Sequence, residues 1–144
     1  MNLHCLTVAE AADGIRQKKF SSVELVEALL RRMDQIEPKV KSFLSVDKEM
    51  ALSESRKKDS QPAEGALHGV PIALKDVLNV AGQPCTCASK ILNGYVSVYD
   101  ATAVKRLKET GAVLLGRTNM DEFAMGSSTE NSAAFMNKER RRIV

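Results

Sequence analysis

The sequence has 144 residues, of which 44% are apolar, and a net charge of +3. This length suits one domain or a part of one, and no apolar run approaches the roughly 20 residues that a membrane helix needs. The net charge arises entirely from the segment KERRR at 138–142, so it is weak evidence for a nucleic-acid surface. The first residues show neither a signal peptide nor a transit peptide, so we expect a cytoplasmic protein.

Two capping boxes open the first two predicted helices. The first, TVAE at 7–10, predicts a short amphipathic helix to about residue 17, and the second, SSVE at 21–24, predicts a helix over 22–37. Pro38 is expected to end the second helix, because its ring cannot continue the helical hydrogen bonds. One face of that helix should be buried, since helical spacing aligns Val26, Leu29, Leu30, Met33 and Glu37.

The next two segments predict a strand and a third helix. Residues 42–46, SFLSV, alternate weakly as a short strand does, and residues 47–58 begin with Asp47 where a helix cap belongs. The stretch GVPIAL at 69–74 is short and apolar, which predicts a buried strand. Pro71 lacks an N–H group, so this strand should begin there or lie at a sheet edge.

The second half of the chain has the rhythm of an α/β fold. Residues 79–99 carry glycines and a proline, which predict an irregular connection. Asp100 is the expected cap of a helix that ends at a glycine, and AVLLG at 112–116 predicts a second buried strand. Thr118 or Asn119 is the expected cap of one or two further turns of helix. Strand, connection, helix and strand in this order predict an α/β protein.

The three cysteines, Cys5, Cys85 and Cys87, suit a reducing compartment. A Cys-x-Cys spacing is too tight for the usual zinc site, and the sequence has no second pair. The histidines His4 and His68 lie far apart in the chain. We therefore predict no metal site and interpret the thiols as small apolar groups of the structure.

Lys75 closes the apolar run at 69–74 and is the first candidate for chemistry. Alternate residues of a strand face opposite sides, so Lys75 shares a face with Pro71 and Ala73, which leave room for a ligand or a neighbouring backbone. Burial lowers the pKa of a lysine, and a neutral lysine can accept a proton from a serine. The alternative is an ordinary strand end, at which Lys75 reaches solvent or pairs with Asp76.

Four motifs resemble the amidase signature family, and they occur in the family's order. They are SSVELVEALLRRMDQIEPKVKSFLSVD at 21–47, HGVPIALKD at 68–76, ASKIL at 88–92 and DATAVKRLKETGAVLLGRTNMDEFAMGSSTENSA at 100–133. The resemblance runs from about Leu6 to Ala133. Within the family, the segment 119–133 is most similar to members that serve tRNA-dependent amidotransferases.

For the fold, the resemblance implies the N-terminal part of the family's α/β domain, a mixed central sheet covered by helices. Residues 1–133 would form this truncated part of the domain. Within it, residues 1–60 would be a helical lead-in and residues 66–133 the α/β start of the catalytic core. Residues 134–144 would be a basic tail that does not match the family.

For activity, the resemblance implies that glutamine is hydrolysed by a lysine, a serine with a cis peptide bond and a nucleophilic serine. Lys75 matches the catalytic lysine of the family. The nucleophile would form an acyl-enzyme with the glutamine side chain while ammonia leaves. The segment GSSTENS at 126–132 would line the substrate side of the pocket, with Ser128 as a substrate-binding residue. A serine-rich turn that ends a helix is the alternative for Ser128.

The resemblance also implies a complex. Ammonia would pass to a partner subunit that uses ATP and Mg to convert glutamate on a mischarged tRNA to glutamine. The expected partners are therefore the B and C subunits of an amidotransferase, glutamine, and the tRNA through the complex. The chain itself would bind no cofactor and no metal, and it would have no membrane partner.

The sequence departs from the family after Ala133. The family continues with a Gly-Gly-Ser loop that carries the cis-serine, and the nucleophilic serine follows later. This sequence reads AFMNKERRRIV at 134–144 and contains no Gly-Gly-Ser loop. We therefore expect the chain as given to be inactive alone. Two alternatives remain open: another amide hydrolase of the same family, and a non-catalytic module whose N-terminal helices dock a partner.

Overall fold

The computed structural model describes residues 2–134, and they form an α/β fold with a mixed sheet, as the sequence predicts. Within this range the helices and strands follow the order α1 (Val8–Arg16), α2 (Ser22–Val40), β1 (Phe43–Val46), α3 (Lys48–Asp59), β2 (Pro71–Lys75), α4 (Thr102–Glu109) and β3 (Val113–Thr118). Short 3-10 helices lie at Leu3–Cys5 and Glu122–Ala124. The three predicted strands therefore all occur, and Pro71 begins its strand as expected.

β3 is the central strand of the described sheet, with β1 on one side and β2 on the other. β1 pairs with β3 in the antiparallel sense, and β2 pairs with it in the parallel sense. α4 lies between β2 and β3 in the chain and supplies the crossover that a parallel pair requires. Both parallel strands therefore end at the same edge of the sheet, which is where α/β proteins usually carry their sites.

Helices cover the sheet from both faces because consecutive residues of β3 point to opposite sides. Leu115 packs against α2 and α3, among others at Val26, whereas Leu114 packs with Leu74 and Val104 on the side of α4. A third apolar cluster joins α1 and α2 to the residue before β2, and its buried members are Ala11, Ile15, Phe20, Leu25 and Val70. Removal of these side chains from water drives the elements together.

Both predicted capping boxes are confirmed. The Thr7 hydroxyl accepts a hydrogen bond from the Glu10 N–H at 3.3 Å, and the Ser21 hydroxyl accepts one from the Glu24 N–H at 3.0 Å. In each box the glutamate carboxylate accepts from the N–H of the cap residue in return. Each bond satisfies a donor that a helix start would otherwise leave without a partner.

A long-range carboxylate adds to the start of α2. Asp59, the last residue of α3, accepts hydrogen bonds from the Ser22 N–H at 2.7 Å and the Val23 N–H at 3.0 Å. The Ser22 hydroxyl is buried and donates to the Gly69 carbonyl at 2.6 Å. These bonds tie α2, α3 and the approach to β2 together.

The second helix does not end at Pro38, as the sequence suggested, but continues to Val40. Pro38 lacks only its own N–H, and the following Lys41 N–H still reaches the Glu37 carbonyl at 2.8 Å. The helix ends because Lys41 adopts a left-handed conformation, with φ 50°. The Glu37 carboxylate then accepts from the Phe43 N–H at 2.6 Å, which fixes the entry to β1.

Asp100 does not cap α4, contrary to the sequence prediction. The cap position is Ala101, and no side chain caps that helix. The Asp100 carboxylate instead pairs with Lys108 Nζ at 2.8 Å and accepts from the Ala81 N–H at 2.8 Å. The Lys108 bond, and then the Ala81 bond, lower the pKa of Asp100. A partner distant in sequence has therefore claimed the carboxylate.

The helix predicted after a cap at Thr118 or Asn119 does not form either. β3 extends to Thr118, and the 3-10 turn Glu122–Ala124 follows it. The Asn119 side-chain oxygen accepts from the Ser132 hydroxyl at 2.6 Å, so the segment folds back on itself rather than winding into an α-helix. No helix within residues 2–134 is long and apolar enough to cross a membrane.

We expect a peptide of residues 1–45 to be only marginally helical, despite its capping boxes. Short helices gain most of their stability from tertiary packing, and the buried face of α2 rests on residues outside this peptide, such as Ala51 and Leu115. Circular dichroism and amide hydrogen exchange of the peptide, compared with the full chain, measure this. Strong amide protection in the peptide alone would contradict the expectation.

Candidate functional site

Lys75 is the last residue of β2 and lies opposite Thr118, the last residue of β3. Its side chain is exposed, whereas Leu74 and Asp76 on either side are buried. The alternation predicted for the strand is confirmed at this end, because Ala73 is exposed together with Lys75. The strand therefore presents the amine at the edge where both parallel strands end. The catalytic role of Lys75 stays a prediction.

The residue that follows Lys75 is a buried carboxylate, because Asp76 is only 2% exposed. Its Oδ2 accepts hydrogen bonds from the Thr86 N–H at 2.9 Å and from the Thr86 hydroxyl at 2.6 Å. Its Oδ1 accepts from Arg117 Nε at 3.0 Å. A buried charge of this kind is stable only when it is paired and hydrogen-bonded, and Asp76 meets both conditions.

Arg117 of β3 is the charged partner of Asp76 and is itself only 3% exposed. Its Nη2 donates to the Leu78 carbonyl at 2.6 Å, and its Nη1 has no partner among the described residues. Removing one member of a buried ion pair typically costs about 3–5 kcal/mol. The alternative prediction, an ion pair between Lys75 and Asp76, is wrong: within residues 2–134 no salt bridge involves Lys75.

Two loops meet at this edge of the sheet, the β2 loop (76–90) and the β3 loop (119–133). The Cys87 N–H donates to the Asp76 carbonyl at 3.1 Å, and the Phe123 N–H donates to the Cys87 carbonyl at 3.0 Å. Further bonds between the loops join the Ala133 N–H to the Ala88 carbonyl at 2.9 Å and the Ser89 hydroxyl to Glu122 Oε1 at 2.6 Å. A chain of hydrogen bonds thus runs from the residue after Lys75 to the β3 loop.

Both loops hold non-glycine residues in the left-handed region. Cys87 and Ala88 have φ values of 51° and 52°, and Phe123, Ala124 and Thr129 have values of 52°, 61° and 61°. Each such residue costs roughly 1–3 kcal/mol and persists only where its surroundings over-determine it. Strain of this kind concentrates at functional sites, so its position beside the Lys75 edge supports this edge as the site.

Ser128 lies in the β3 loop, which is organised around the carboxylate of Asp121. Asp121 Oδ2 accepts from the N–H groups of Ser128 at 3.1 Å and Thr129 at 2.8 Å, and Oδ1 accepts from the Asn131 N–H at 2.9 Å. These backbone donors, that of Asn131 first, lower the pKa of Asp121. The Ser128 hydroxyl donates to Glu130 Oε2 at 3.1 Å on the surface. Its substrate-binding role stays a prediction.

The cysteines have different environments. Cys85 is 2% exposed and its thiol donates to the Asp76 carbonyl at 3.3 Å, and burial raises the pKa of that thiol. Cys5 is exposed and Cys87 is half-buried, so the interpretation as a small buried group is correct for Cys85 and wrong for Cys5.

The histidine that the structure buries is a packing residue. The ring of His68 lies between the Glu64 N–H, 3.3 Å from Nδ1, and the Lys58 carbonyl, 2.9 Å from Nε2. In the part of the chain that the structure describes, no group of three or more His, Cys, Asp or Glu side chains is placed to hold a metal ion.

A model of the family described as Amidase matches residues 24–137, a range that contains Lys75, Asp76 and Arg117. The chain belongs to the amidase family. The resemblance inferred from the four motifs is thereby confirmed, because the motifs at 68–76, 88–92 and 100–133 lie inside the matched range and the motif at 21–47 overlaps it.

Relatives give the same family with more detail. The chain is 51% identical over 136 residues to the A subunit of glutamyl-tRNA(Gln) amidotransferase from Desulfatibacillum aliphaticivorans, a match that covers 92% of this chain and 28% of that protein. The crystal structure of the A subunit of the same enzyme from Thermotoga maritima matches with a TM-score of 0.68 and 38% identity, over 94% of this chain and 27% of that one.

A second kind of amide hydrolase shares the fold. The structure of 6-aminohexanoate cyclic dimer hydrolase matches with a TM-score of 0.80 and 30% identity, over 92% of this chain and 27% of that one. The chain therefore spans little more than a quarter of the length of the relatives that it matches. The shared fold places this amidase segment among enzymes that differ in substrate.

Reasoning from sequence identified Lys75 and Ser128 and missed the acids and the arginine that hold their surroundings. Asp76 appeared only as a possible partner of Lys75, although a charge directly after a buried strand is a signal for a buried pair. Arg117 interrupts an otherwise apolar strand, which is a similar signal. Asp121 left no local sign, since its donors lie seven to ten residues further along the chain.

We expect the hydrogen bonds of Asp121 to persist at neutral pH and to be lost in acid. A carboxyl group whose pKa is lowered by folding stabilises the native loop above the pKa of the unfolded chain, and this stabilisation disappears as the pH falls through the lowered value. The amide NMR signals of Ser128, Thr129 and Asn131 should therefore titrate together with a midpoint below 3.8, the ordinary value for an aspartate.

Asp121→Asn should remove this common titration, because the amide nitrogen that replaces one oxygen cannot accept a hydrogen bond. Asp13→Asn is the matched control, since Asp13 forms an exposed ion pair with Arg16 on α1. The same titration of the three amides in Asp121→Asn would show that another group organises the β3 loop.

Proposed function

We propose that this chain contributes the catalytic lysine of a glutamine-hydrolysing site and is part of the A subunit of a tRNA-dependent amidotransferase. The observation that carries the proposal is the place of Lys75, at the end of a parallel strand and on a backbone fixed by the buried Asp76. The 51% identity to the A subunit from Desulfatibacillum aliphaticivorans supports glutamine as the substrate.

In the proposed reaction, the neutral amine of Lys75 accepts a proton through a bridging serine from the serine that attacks the glutamine side-chain amide. The C–N bond breaks, ammonia leaves with the proton, and an acyl-enzyme remains. Water then hydrolyses the acyl-enzyme to glutamate and restores the serine. The bridging serine, the nucleophile and the oxyanion donors would come from glycine-rich loops of the family, which the 144-residue sequence does not contain.

The β3 loop is the proposed substrate side of this site. Its N–H groups at Ser128 and Thr129 are already bound by Asp121, so the loop is rigid before a ligand arrives. The Ser128 hydroxyl is the polar group that this loop can offer to a ligand, since its bond to Glu130 lies on the surface. We assign it to a hydrogen bond with the polar end of the substrate.

The names of the relatives support the partners that we propose. Released ammonia would pass to the B subunit of a complex that also contains a C subunit, in the cytoplasm. There ATP, with Mg, would activate glutamate on a mischarged tRNA, and ammonia would convert it to glutamine. This chain needs no cofactor for its share of the reaction, because the lysine supplies a proton acceptor and the serine supplies a nucleophile.

A second candidate is hydrolysis of a different amide. It is favoured by the TM-score of 0.80 to 6-aminohexanoate cyclic dimer hydrolase, against 0.68 for the amidotransferase structure from Thermotoga maritima. The identities point the other way, at 30% and 38%. Because the β2 and β3 loops choose the substrate and the strands do not, we give the identities more weight.

The test is a chimera in which residues 1–133 of this chain replace the matching segment of the A subunit from Desulfatibacillum aliphaticivorans. With the B and C subunits it should release ammonia from glutamine, and Lys75→Arg should lower the rate by about 10²–10⁴, because a guanidinium stays protonated and cannot act as a base. Lys105→Arg, at an exposed position of α4, is the matched control and should leave the rate unchanged.

Near-normal turnover in the Lys75→Arg chimera would rule out the role of the lysine. A chimera that cleaves simple aliphatic amides faster than glutamine, and still depends on Lys75, would favour the second candidate instead. The two proposals are therefore separated by substrate and the lysine role by the variant.

The 144-residue chain alone should hydrolyse no glutamine. Its sequence holds a base but no Gly-Gly-Ser loop, so no acyl-enzyme can form. Loss of the nucleophile from comparable hydrolytic sites costs roughly 10⁶-fold in rate. Ammonia release from the purified chain that disappears in Lys75→Ala would show that a nucleophile is present after all.

A further inference from the structure

The buried ion pair directly behind Lys75 does more than join two strands. We propose that Asp76 and Arg117 are positioning residues for Lys75: Asp76 fixes the backbone that carries the lysine, and Arg117 cancels the charge of that carboxylate so that the lysine amine can lose its proton. The inference rests on the proposed role of Lys75 and goes beyond it, because it assigns a task to two residues that need not touch the substrate.

Asp76 holds its place through both main chain and side chain. Its N–H donates to the Thr118 carbonyl at 3.3 Å, and its carbonyl accepts from the Cys87 N–H at 3.1 Å and the Cys85 thiol at 3.3 Å. Its carboxylate takes both donors of Thr86. The peptide unit between Lys75 and Asp76 is therefore anchored to β3 and to the β2 loop, and the exposed lysine leaves a fixed point of the sheet.

An anchor of this kind has an electrostatic cost for a base. An ionised Asp76 next to Lys75 favours the ammonium form of the lysine, which cannot accept a proton. Arg117 removes this cost because its guanidinium binds the carboxylate at 3.0 Å. With side chains only 4% and 3% exposed, water screens this attraction little, and the pair presents almost no net charge to the amine.

The other titratable groups at this edge are engaged elsewhere or uncharged at neutral pH. In the β3 loop, Asp121 is bound by backbone N–H groups and Glu122 by a serine hydroxyl. In the β2 loop, Cys85 and Cys87 are thiols, and burial raises the pKa of Cys85. Among the described residues, none of these acids forms a salt bridge with Lys75. The charge balance at the lysine thus depends on the pair behind it.

The test measures the proton affinity of Lys75 in the complete 144-residue chain. Competitive acetylation with acetic anhydride over about pH 7–11, read by peptide mass spectrometry, gives a titration midpoint for each lysine. The unchanged chain is compared with Asp76→Asn, Arg117→Met and the double variant that carries both changes. Lys105, exposed on α4, is the internal control, and circular dichroism verifies the fold of each variant.

The single variants should shift Lys75 in opposite directions. Arg117→Met leaves the Asp76 charge unbalanced and should raise the midpoint by about 0.5–1 pH unit, and Asp76→Asn leaves the Arg117 charge unbalanced and should lower it by a similar amount. The double variant is neutral and should return within about 0.2 unit of the unchanged chain. The midpoint of Lys105 should stay constant throughout.

A merely structural pair gives a different pattern. Loosening of the strand would move Lys75 in the same direction in both single variants, and the double variant would not restore it. That result, or no shift in either variant, would overturn the proposal. If Arg117→Met does not fold, Asp76→Asn and the double variant still decide, since the first should lower the midpoint and the second should restore it. The assay needs no glutamine hydrolysis, so its failure is distinct from failure of the proposed function.

Discussion

The carboxylate of Asp76 is the contact on which the arrangement of the candidate site depends. Its donors come from Thr86 in the β2 loop and from Arg117 on the central strand. Each partner is needed because a buried charge that loses one is left uncompensated, at a cost of several kcal/mol. The end of β2, the end of β3 and the β2 loop therefore keep one geometry, and Lys75 takes its position from them.

A second buried carboxylate organises the neighbouring loop by the same means. Asp121 gathers backbone N–H groups where Asp76 gathers side-chain donors, and both draw an irregular segment around a fixed negative charge. The left-handed residues at Cys87, Ala88 and Phe123 are tolerated because the hydrogen bonds between the loops hold them in place. Strain and buried charge thus meet where the parallel strands end.

Membership of the amidase family connects this geometry to amide chemistry without choosing the amide. The fold is shared with 6-aminohexanoate cyclic dimer hydrolase and with the A subunit of glutamyl-tRNA(Gln) amidotransferase, whose names give different substrates. What these proteins have in common with the chain is the segment that carries Lys75 and its supports. The substrate must therefore be argued from the β2 and β3 loops and from sequence identity.

Local sequence determined the elements whose causes are local. The capping boxes at Thr7 and Ser21, the strand that begins at Pro71 and the exposed end at Lys75 follow from neighbouring residues alone, and the motifs were enough to indicate the family. Tertiary structure decided every feature whose partner is distant in the chain. Asp100 bonds to Ala81 and Lys108 instead of capping its helix, and Arg117 meets Asp76 across 41 positions, because burial makes such charges find a partner wherever the fold supplies one.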